Sequence, residues 1–449
     1  MNAIVEKCDC EDCKNKYDFE LPKDLINDLK SGKIAIFAGS GISTESKRVL
    51  KFTLYEDVAL ELKYDQCHLP FPELMQEYCD QINGRIKLLE KIKFRFAHIK
   101  SFPELYYVAS RFHQSMATLF PLKTIVTTNW DTYFEDECNA TPFVFDKDLA
   151  FWDSEDRKVL KIHGSINNYG SIVATTKDYK ACQERLHNGL IGSVLKKLLA
   201  TKTLVFVGYS MSDSDFLNIF EFVSEQMKGL TRQAYVITPF KDEVPKFNQL
   251  GLIPIVTDGE YFISSIKEHF INQKGMLSDT IYDHANMLDS IVLQEHIEFL
   301  EKYSCFDHPQ IIYAASYQDG MMHATGRVLA LKCSGEYSDP CTFRRVLHPY
   351  LEWQKQKLKD KKYEDVAYIE GYINGLMFLQ LSDDEKNGLE HPPLYYAFGV
   401  KENLFTLEDF ENVIEELPQS HKASYQRAKR MVNKLKSTGG IVFHHPPWL

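Results

Sequence analysis

The sequence predicts an α/β protein: a Rossmann-like parallel sheet flanked by helices, followed by an all-α C-terminal domain. Short apolar runs of strand length alternate with amphipathic helical segments over the first 270 residues or so, a pattern typical of a parallel sheet covered on both faces. After about residue 278 only helical periodicity remains. We therefore expect a flexible N-terminus at residues 1–20, a sheet domain at 21–278 and a helical domain at 279–449.

Apolar and β-branched runs predict the strands, and apolar residues at helical spacing predict the helices. The predicted strands are residues 34–38, 124–128, 159–162, 203–207, 233–238 and 253–256. The predicted helices around them are residues 22–30, most of 54–120, 191–199 and 261–270. The predicted C-terminal helices are residues 289–303, 317–331, 342–357, 363–381, 407–416 and 420–437.

The composition excludes several classes of protein. With 449 residues, 44% hydrophobic and 26% charged, the chain is neither disordered throughout nor a coiled coil. A net charge of −11 disfavours sequence-specific nucleic-acid binding, which draws its affinity from clustered Lys and Arg. No apolar run is long enough to span a membrane and the N-terminus lacks signal-peptide character, so we expect a cytoplasmic protein.

The ten cysteines are scattered, which indicates reduced thiols. Cys8, Cys10 and Cys13 form the one cluster. It is either part of a zinc site completed by a fourth ligand or a polar terminus that happens to carry thiols. His348 and the His444–His445 pair are isolated from other ligand types along the chain, so we expect them on the surface.

Two polar motifs follow the first two predicted strands. Residues 37–43 read FAGSGIS, a glycine turn whose backbone can approach a pyrophosphate at the start of a helix. Residues 127–131 read TTNWD. Asn129 at the strand end can offer a ligand both a donor and an acceptor, or Asn129 and Asp131 can cap the next helix.

Two further motifs follow later strands. Residues 161–165 read KIHGS, and His163 at a strand end is suited to acid–base chemistry near neutral pH. Residues 207–213 read VGYSMSD. Because ligands of parallel sheets bind beyond the carboxyl ends of the strands, the four motifs are expected to line one crevice.

In this order and spacing the four motifs resemble the sirtuin superfamily, and the resemblance covers about residues 20–270. The residues that match the family's motifs are Gly39, Ser40, Gly41 and Ser43 for the pyrophosphate loop, Thr128, Asn129 and Asp131 for Gln-Asn-x-Asp, His163 and Gly164 for His-Gly, and Gly208 and Ser210 for Gly-Thr-Ser. Ser40 replaces the family's Ala.

The departures from the family narrow the expectation. Sirtuin protein deacylases carry a four-cysteine zinc ribbon after the His-Gly, whereas this chain has a single cysteine, Cys182, between Gly164 and Thr203. The deacylases' Pro-Asp-Phe-Arg is also missing at residues 44–48. We expect no ribbon and no metal requirement. The TTNWD and GYSMSD forms are similar to the bacterial sirtuin-like branch of antiphage defence, whose members hydrolyse NAD+.

The resemblance implies an NAD+ glycohydrolase that depletes NAD+ in abortive infection. Asn129 would hold the ribose and orient water, His163 would act as general base, and Asp131 would contact the nicotinamide ribose. The alternatives are a protein deacylase or ADP-ribosyltransferase, or a non-catalytic nucleotide-binding scaffold. We expect the helical region to form a homo-oligomer, and a HerA-type ATPase is the family partner to test first.

Overall fold

The computed structural model describes residues 14–43, 49–209, 214–227, 229–230, 232–386 and 388–447. The chain divides into two compact units, one ending at Phe270 and the other beginning at Ile271. The assignment of catalysis to residues 21–278 and of assembly to 279–449 stays a prediction. The predicted flexible segment falls mostly on residues 1–13, outside the described part, together with Cys8, Cys10 and Cys13.

The described residues of the first unit form one seven-stranded sheet in which every pairing is parallel. Its strand order is β3-β4-β2-β1-β5-β6-β7. The strands are β1 (Ile34–Ala38), β2 (Thr124–Thr127), β3 (Thr141–Phe143), β4 (Lys158–Lys161), β5 (Thr203–Val207), β6 (Ala234–Thr238) and β7 (Ile253–Val256). The predicted parallel sheet is confirmed.

Helices flank this sheet, as predicted. They are α1 (Lys23–Lys30), α2 (Leu54–Glu61), α3 (Phe71–Cys79), α4 (Gly84–Lys100), α5 (Pro103–Ala117), α6 (Tyr133–Cys138), α7 (Thr176–Asn188), α8 (Leu190–Thr201), α9 (Ser214–Met227), α10 (Val244–Gln249) and α11 (Gly259–Asn272). All residues of β1, β2, β5 and β6 are buried, because a central strand of such a sheet is covered on both faces.

The strand order places a topological switch point between β1 and β5. On one side of β1 lie β2, β4 and β3, which the chain forms in the order β2, β3, β4, and on the other side it runs from β5 to β6 and β7. Loops that leave neighbouring strands in opposite directions open a crevice at the carboxyl edge, where α/β sheets bind ligands. The loops after β1 and β5 therefore flank the expected ligand position.

The second unit is helical in its described residues, which confirms the predicted all-α region. Its helices are α12 (Thr280–Lys302), α13 (Ile311–Ala330), α14 (Pro340–Lys359), α15 (Tyr363–Gln380), α16 (Asp383–Lys386), α17 (Leu407–Ile414), α18 (Leu417–Ser420) and α19 (Lys422–Ser437). A search of the described helices finds none with the length and apolar character that crossing a bilayer requires.

Two glycines bring α13 and α15 into backbone contact. A Cβ on Gly320 would lie 2.1 Å from the carbonyl oxygen of Tyr368, and one on Gly371 would lie 1.8 Å from that of Tyr317. Both distances are far below van der Waals contact, so any side chain here would push the helices apart. Gly320 and Gly371 thus serve packing between helices of one chain.

The terminal histidine pair is not isolated from other ligand types as expected, and the expected surface position is wrong for His445. His445 is buried, and its Nε2 lies 3.1 Å from Asp365 Oδ1. His444 is half-exposed, with its Nδ1 3.2 Å from Asp319 Oδ1. Separation along the chain concealed both carboxylates, because α13 and α15 bring them to the C-terminal segment only in the folded protein. His348 is exposed, as expected.

Candidate active site

The loops after β1 and β5 touch through glycine backbone. The Gly39 N–H donates to the Val207 carbonyl and the Gly41 N–H to the Gly208 carbonyl, each at 3.0 Å. A Cβ on Gly39 would lie 2.3 Å from the Gly208 oxygen. Gly208 itself has a φ of +59°, and a Cβ on it would lie 2.6 Å from Ile42 Cγ2. These glycines are required for two loops to pack together, which their sequence pattern alone did not reveal.

Within the described residues, the glycine turn leads into a 3-10 turn and not into the expected α-helix. Residues Ser40–Ile42 form a single 3-10 turn that begins at the exposed Ser40, and Ser43 after it is buried. The next α-helix in the described residues is α2, which begins at Leu54. Residues 44–48 lie outside the described part, as does the predicted site residue Ser210.

Asn129 ties the end of β2 to the loop after β1. Its Nδ2 donates to the Gly39 carbonyl at 3.0 Å and lies 3.3 Å from Ser43 Oγ. Its backbone N–H donates to Thr127 Oγ1 at 3.0 Å, and that hydroxyl donates to the Ala38 carbonyl at 2.8 Å. Asn129 Oδ1 is buried and has no hydrogen-bond partner within the described ranges. One acceptor on a rigidly held amide thus remains for a ligand or water.

The remaining polar residues after β2 have structural contacts of their own. Asp131 is buried, and its Oδ1 accepts the backbone N–H of Tyr133 at 3.2 Å, at the start of α6. The helix-capping alternative left open by the sequence thus has support for Asp131 and not for Asn129, which points back to β1. Thr128 is half-buried between Thr127 and Asn129.

His163 lies two residues after the end of β4 and is buried. Its ring packs edge-on against Tyr179 of α7, with centroids 5.0 Å apart, and its carbonyl accepts the Val173 N–H at 3.0 Å. Gly164 after it has a φ of +87°, and a Cβ there would lie 2.1 Å from the Ser171 carbonyl oxygen. The glycine of the His-Gly pair therefore lets the loop fold back and fix the imidazole.

A buried ion pair behind these motifs was not predicted. Lys161, the last residue of β4, is fully buried, and its Nζ lies 2.9 Å from Glu135 Oε1 and also donates to the carbonyl of Asp131. Burial raises the pKa of the Glu135 carboxyl, and the Lys161 ammonium opposes that rise. The pair joins the end of β4, next to His163, to the segment after Asn129. The signal in the sequence was a lysine in a strand buried on both faces.

A second buried titratable group, His113 of α5, packs against the start of α6, which follows Asn129 and Asp131. It is completely buried, with its ring 4.4 Å from that of Phe134 and 5.4 Å from that of Tyr133 between centroids. Burial lowers its pKa to about 4, although the Asp131 carboxylate acts in the opposite direction and Lys161 adds to the lowering. The folded protein therefore holds this imidazole neutral at pH 7.

We expect His113 to make the first unit acid-sensitive. The unfolded chain binds a proton at this residue below about pH 6.5, and the folded chain binds it only near pH 4. Protonation favours unfolding in that window, so the free energy of unfolding should fall by about 2 kcal/mol between pH 7.5 and pH 5. Calorimetry of His113→Phe should show this loss removed, with exposed His187→Phe as control. Equal acid sensitivity in all three proteins would contradict the assignment.

The structure brings most of the predicted site residues to the carboxyl edge of adjacent strands. Gly39, Gly41, Ser43 and Asn129 are joined by direct contacts with Gly208 or with one another. His163 lies at the end of the next strand, β4. These residues follow the carboxyl ends of strands on either side of the switch point of a parallel sheet, the edge at which α/β domains of this class bind ligands.

Comparison with known proteins supports this class. Residues 123–253 match the family model described as SIR2-like domain, which confirms the resemblance to sirtuins over this part of the chain. The matched residues begin just before β2 and end at the start of β7. They include Asn129, Asp131, His163 and Gly208.

Named relatives of the chain come from bacteria. NAD(+) hydrolase ThsA of Enterococcus faecium is 28% identical over 216 residues, 46% of this chain and 44% of the relative. The Cytobacillus dafuensis protein of the same name is 29% identical over 220 residues, 47% and 42% of the two chains. Defense-associated sirtuin 2 of Bacillus subtilis is 22% identical over 446 residues, 94% of this chain and 36% of the relative. The aligned part is less than half of each of these relatives.

Proposed function

We propose that this protein is an NAD+ glycohydrolase that cleaves NAD+ to nicotinamide and ADP-ribose, and that it acts in antiphage defence by depleting NAD+. The observation that carries the proposal is the buried Asn129 amide, whose Oδ1 has no partner in the described part of the chain. The names of the bacterial relatives support the same chemistry.

The reaction breaks the bond between the nicotinamide nitrogen and the ribose. The bonding electrons leave with the ring, which loses its positive charge, and the ribose carbon becomes oxocarbenium-like in the transition state. Water then forms the new bond to that carbon and releases a proton. The protein must therefore orient the ribose, admit one water and accept a proton.

The described residues offer a group for each of these tasks. Asn129 Oδ1 would accept a hydrogen bond from a ribose hydroxyl or from the attacking water, and His163 would accept the proton as general base. Asp131 and Thr128 would contact the nicotinamide ribose. The loops that contain Gly39, Ser40, Gly41 and Ser43 on one side, and Gly208 and Ser210 on the other, would hold the pyrophosphate and adenosine.

We further propose that the active form is a homo-oligomer built through the helical unit, in the cytoplasm, and that a HerA-type ATPase is a partner. An NAD+ hydrolase without an inactive state would poison its host. Assembly or partner binding is a simple way to provide one. The residues responsible for NAD+ cleavage remain those of the first unit in this proposal, and no metal is assigned to them.

Incubation of the purified full chain with NAD+ tests the proposal. We expect equimolar nicotinamide and ADP-ribose, separated by chromatography, with the neighbouring gene's product added in a parallel reaction. Water labelled with ¹⁸O should place its oxygen on the ribose carbon. Nicotinamide released without free ADP-ribose would instead indicate transfer to protein, and an unchanged NAD+ pool in both reactions would reject NAD+ hydrolysis.

A further inference from the structure

Three side chains of the helical unit converge as ligands of a metal ion would. They are His296 of α12, Asp319 of α13 and His444 of the C-terminal segment, and one nitrogen or oxygen from each lies within 4.8 Å of the other two. His444 Nδ1 and Asp319 Oδ1 are 3.2 Å apart. Ligands bound tetrahedrally to zinc at about 2.0–2.1 Å are separated by about 3.3 Å, so the cluster needs only small side-chain rotations to close around an ion.

The hydrogen bonds of His296 leave one ring nitrogen ready to bind. Gln318 Nε2 donates to the Leu394 carbonyl at 3.2 Å, which orients the amide so that its oxygen faces His296. That oxygen lies 2.9 Å from His296 Nδ1, so Nδ1 must carry the proton and donate it. Nε2 is then the nitrogen with the lone pair. It is buried and has no hydrogen-bond partner among the residues described, as expected for a metal-binding imidazole whose other nitrogen is held by a neighbouring acceptor.

The carboxylate is held in place in the same way. Asp319 is buried, and its Oδ2 accepts the backbone N–H of His445 at 2.7 Å. Its Oδ1 remains next to the His444 ring, which is tilted by 44° against that of His296 with centroids 5.1 Å apart. A buried carboxylate beside two imidazoles is a costly arrangement in an apolar core, and a cation between them would offset that cost.

We propose that His296, Asp319 and His444 bind a divalent transition-metal ion of the zinc type, with two imidazole nitrogens, one carboxylate oxygen and a fourth position open to water. This ligand set suits zinc and related ions better than magnesium or calcium, which prefer oxygen ligands. The side chain of His444 is 56% exposed, which gives the ion an entry path. The ion would fasten the C-terminal segment to α12 and α13.

Metal binding to the full chain, freed of any histidine tag and stripped with a chelator, tests this site. We expect one Co²⁺ per chain with visible absorption bands and no thiolate charge-transfer band, displaced by Zn²⁺. His444→Ala and Asp319→Asn should each weaken Zn²⁺ binding at least about tenfold. The exposed His348→Ala is the matched control and should bind as the unaltered chain does. Zn²⁺ should also raise the unfolding temperature of the unaltered protein and not that of His444→Ala.

The test separates this site from the cysteines. A cobalt spectrum dominated by thiolate bands, or binding lost on changing Cys8, Cys10 and Cys13 to Ser, would overturn the proposal. So would equal affinity in the unaltered chain and His444→Ala, or no stoichiometric binding at all. His444→Ala also removes the contact of His444 Nδ1 with Asp319 Oδ1, so the rise on adding Zn²⁺ is measured against the unfolding temperature of the same variant without metal. Asp319→Asn provides the second variant.

Discussion

Asn129→Ala and His163→Ala should each lower kcat/KM for NAD+ cleavage by a factor of about 1,000 or more. Loss of a positioned proton acceptor costs about 100- to 10,000-fold, and loss of the group that orients ribose and water removes the near-attack geometry as well. The Asn129 variant also removes the bond from Nδ2 to the Gly39 carbonyl. About 1–3 kcal/mol of stability should be lost with it, because that carbonyl is left without its donor.

Asn167→Ala is the matched control for this prediction. Asn167 is an exposed asparagine of the loop after β4, in the same unit and close along the chain to His163. Its activity and unfolding temperature should stay near those of the unaltered protein. Circular dichroism and calorimetry would establish that the Asn129 and His163 variants are folded at the assay temperature. A folded variant of either residue with normal turnover would refute the assigned roles.

Lys161→Met should both destabilise the first unit and impair catalysis. Methionine keeps most of the volume of lysine but leaves the Glu135 carboxylate, whose side chain is only 14% exposed, without its cation. Breaking a buried ion pair from one side costs about 3–5 kcal/mol. The Asp131 carbonyl loses its donor at the same time. The segment that contains Asn129 and Asp131 should then be less well held, and NAD+ turnover should fall at least about tenfold in the fraction that remains folded.

A double-mutant cycle makes this prediction specific to the pair. Lys161→Met with Glu135→Gln should be less destabilised than the two single variants added together, because no uncompensated charge remains. The loss in Lys161→Met alone should shrink at acidic pH, where Glu135 takes up a proton. Lys158→Met at the start of the same strand is the control, since Lys158 is partly exposed. Strict additivity of the two single variants would show that the pair is not coupled.

Much of the fold was predictable because apolar runs, and the polar or glycine residues that end them, reflect burial directly. The strands at 34–38, 203–207 and 253–256 were predicted with the bounds that the structure has. The strand Thr141–Phe143 was missed because it has only three residues and a proline at its centre. Proline is tolerated there because β3 is an edge strand, which loses no interior ladder bond. The starts of α12 and α13 were placed too late, since helices buried on several faces show weak periodicity.

The candidate site was only partly predictable, because motif spacing identifies strand ends but not side-chain partners. Asn129 and His163 could be selected from sequence. The contact of Gly39 with Gly208 and the pairing of Lys161 with Glu135 depend on which strands are neighbours, and no local pattern encodes that order. The same limit applied to the terminal histidines. His444 meets Asp319 across the helical unit, and nothing near it in the sequence suggests a carboxylate.

The contact of Gly39 with Val207 and Gly208 has a consequence for synthesis on the ribosome. Gly39 and Asn129 are synthesised early. The residues that contact the Gly39 loop from the other side, Val207 and Gly208, are synthesised much later and reach it only when β5 pairs with β1. A nascent chain whose Gly208 is still inside the ribosome therefore lacks one of the two loops that flank the expected ligand position. Contacts between distant parts of a chain form late in folding. For the proposed NAD+ hydrolase, this order protects the cell from each new copy until translation of the sheet is nearly finished.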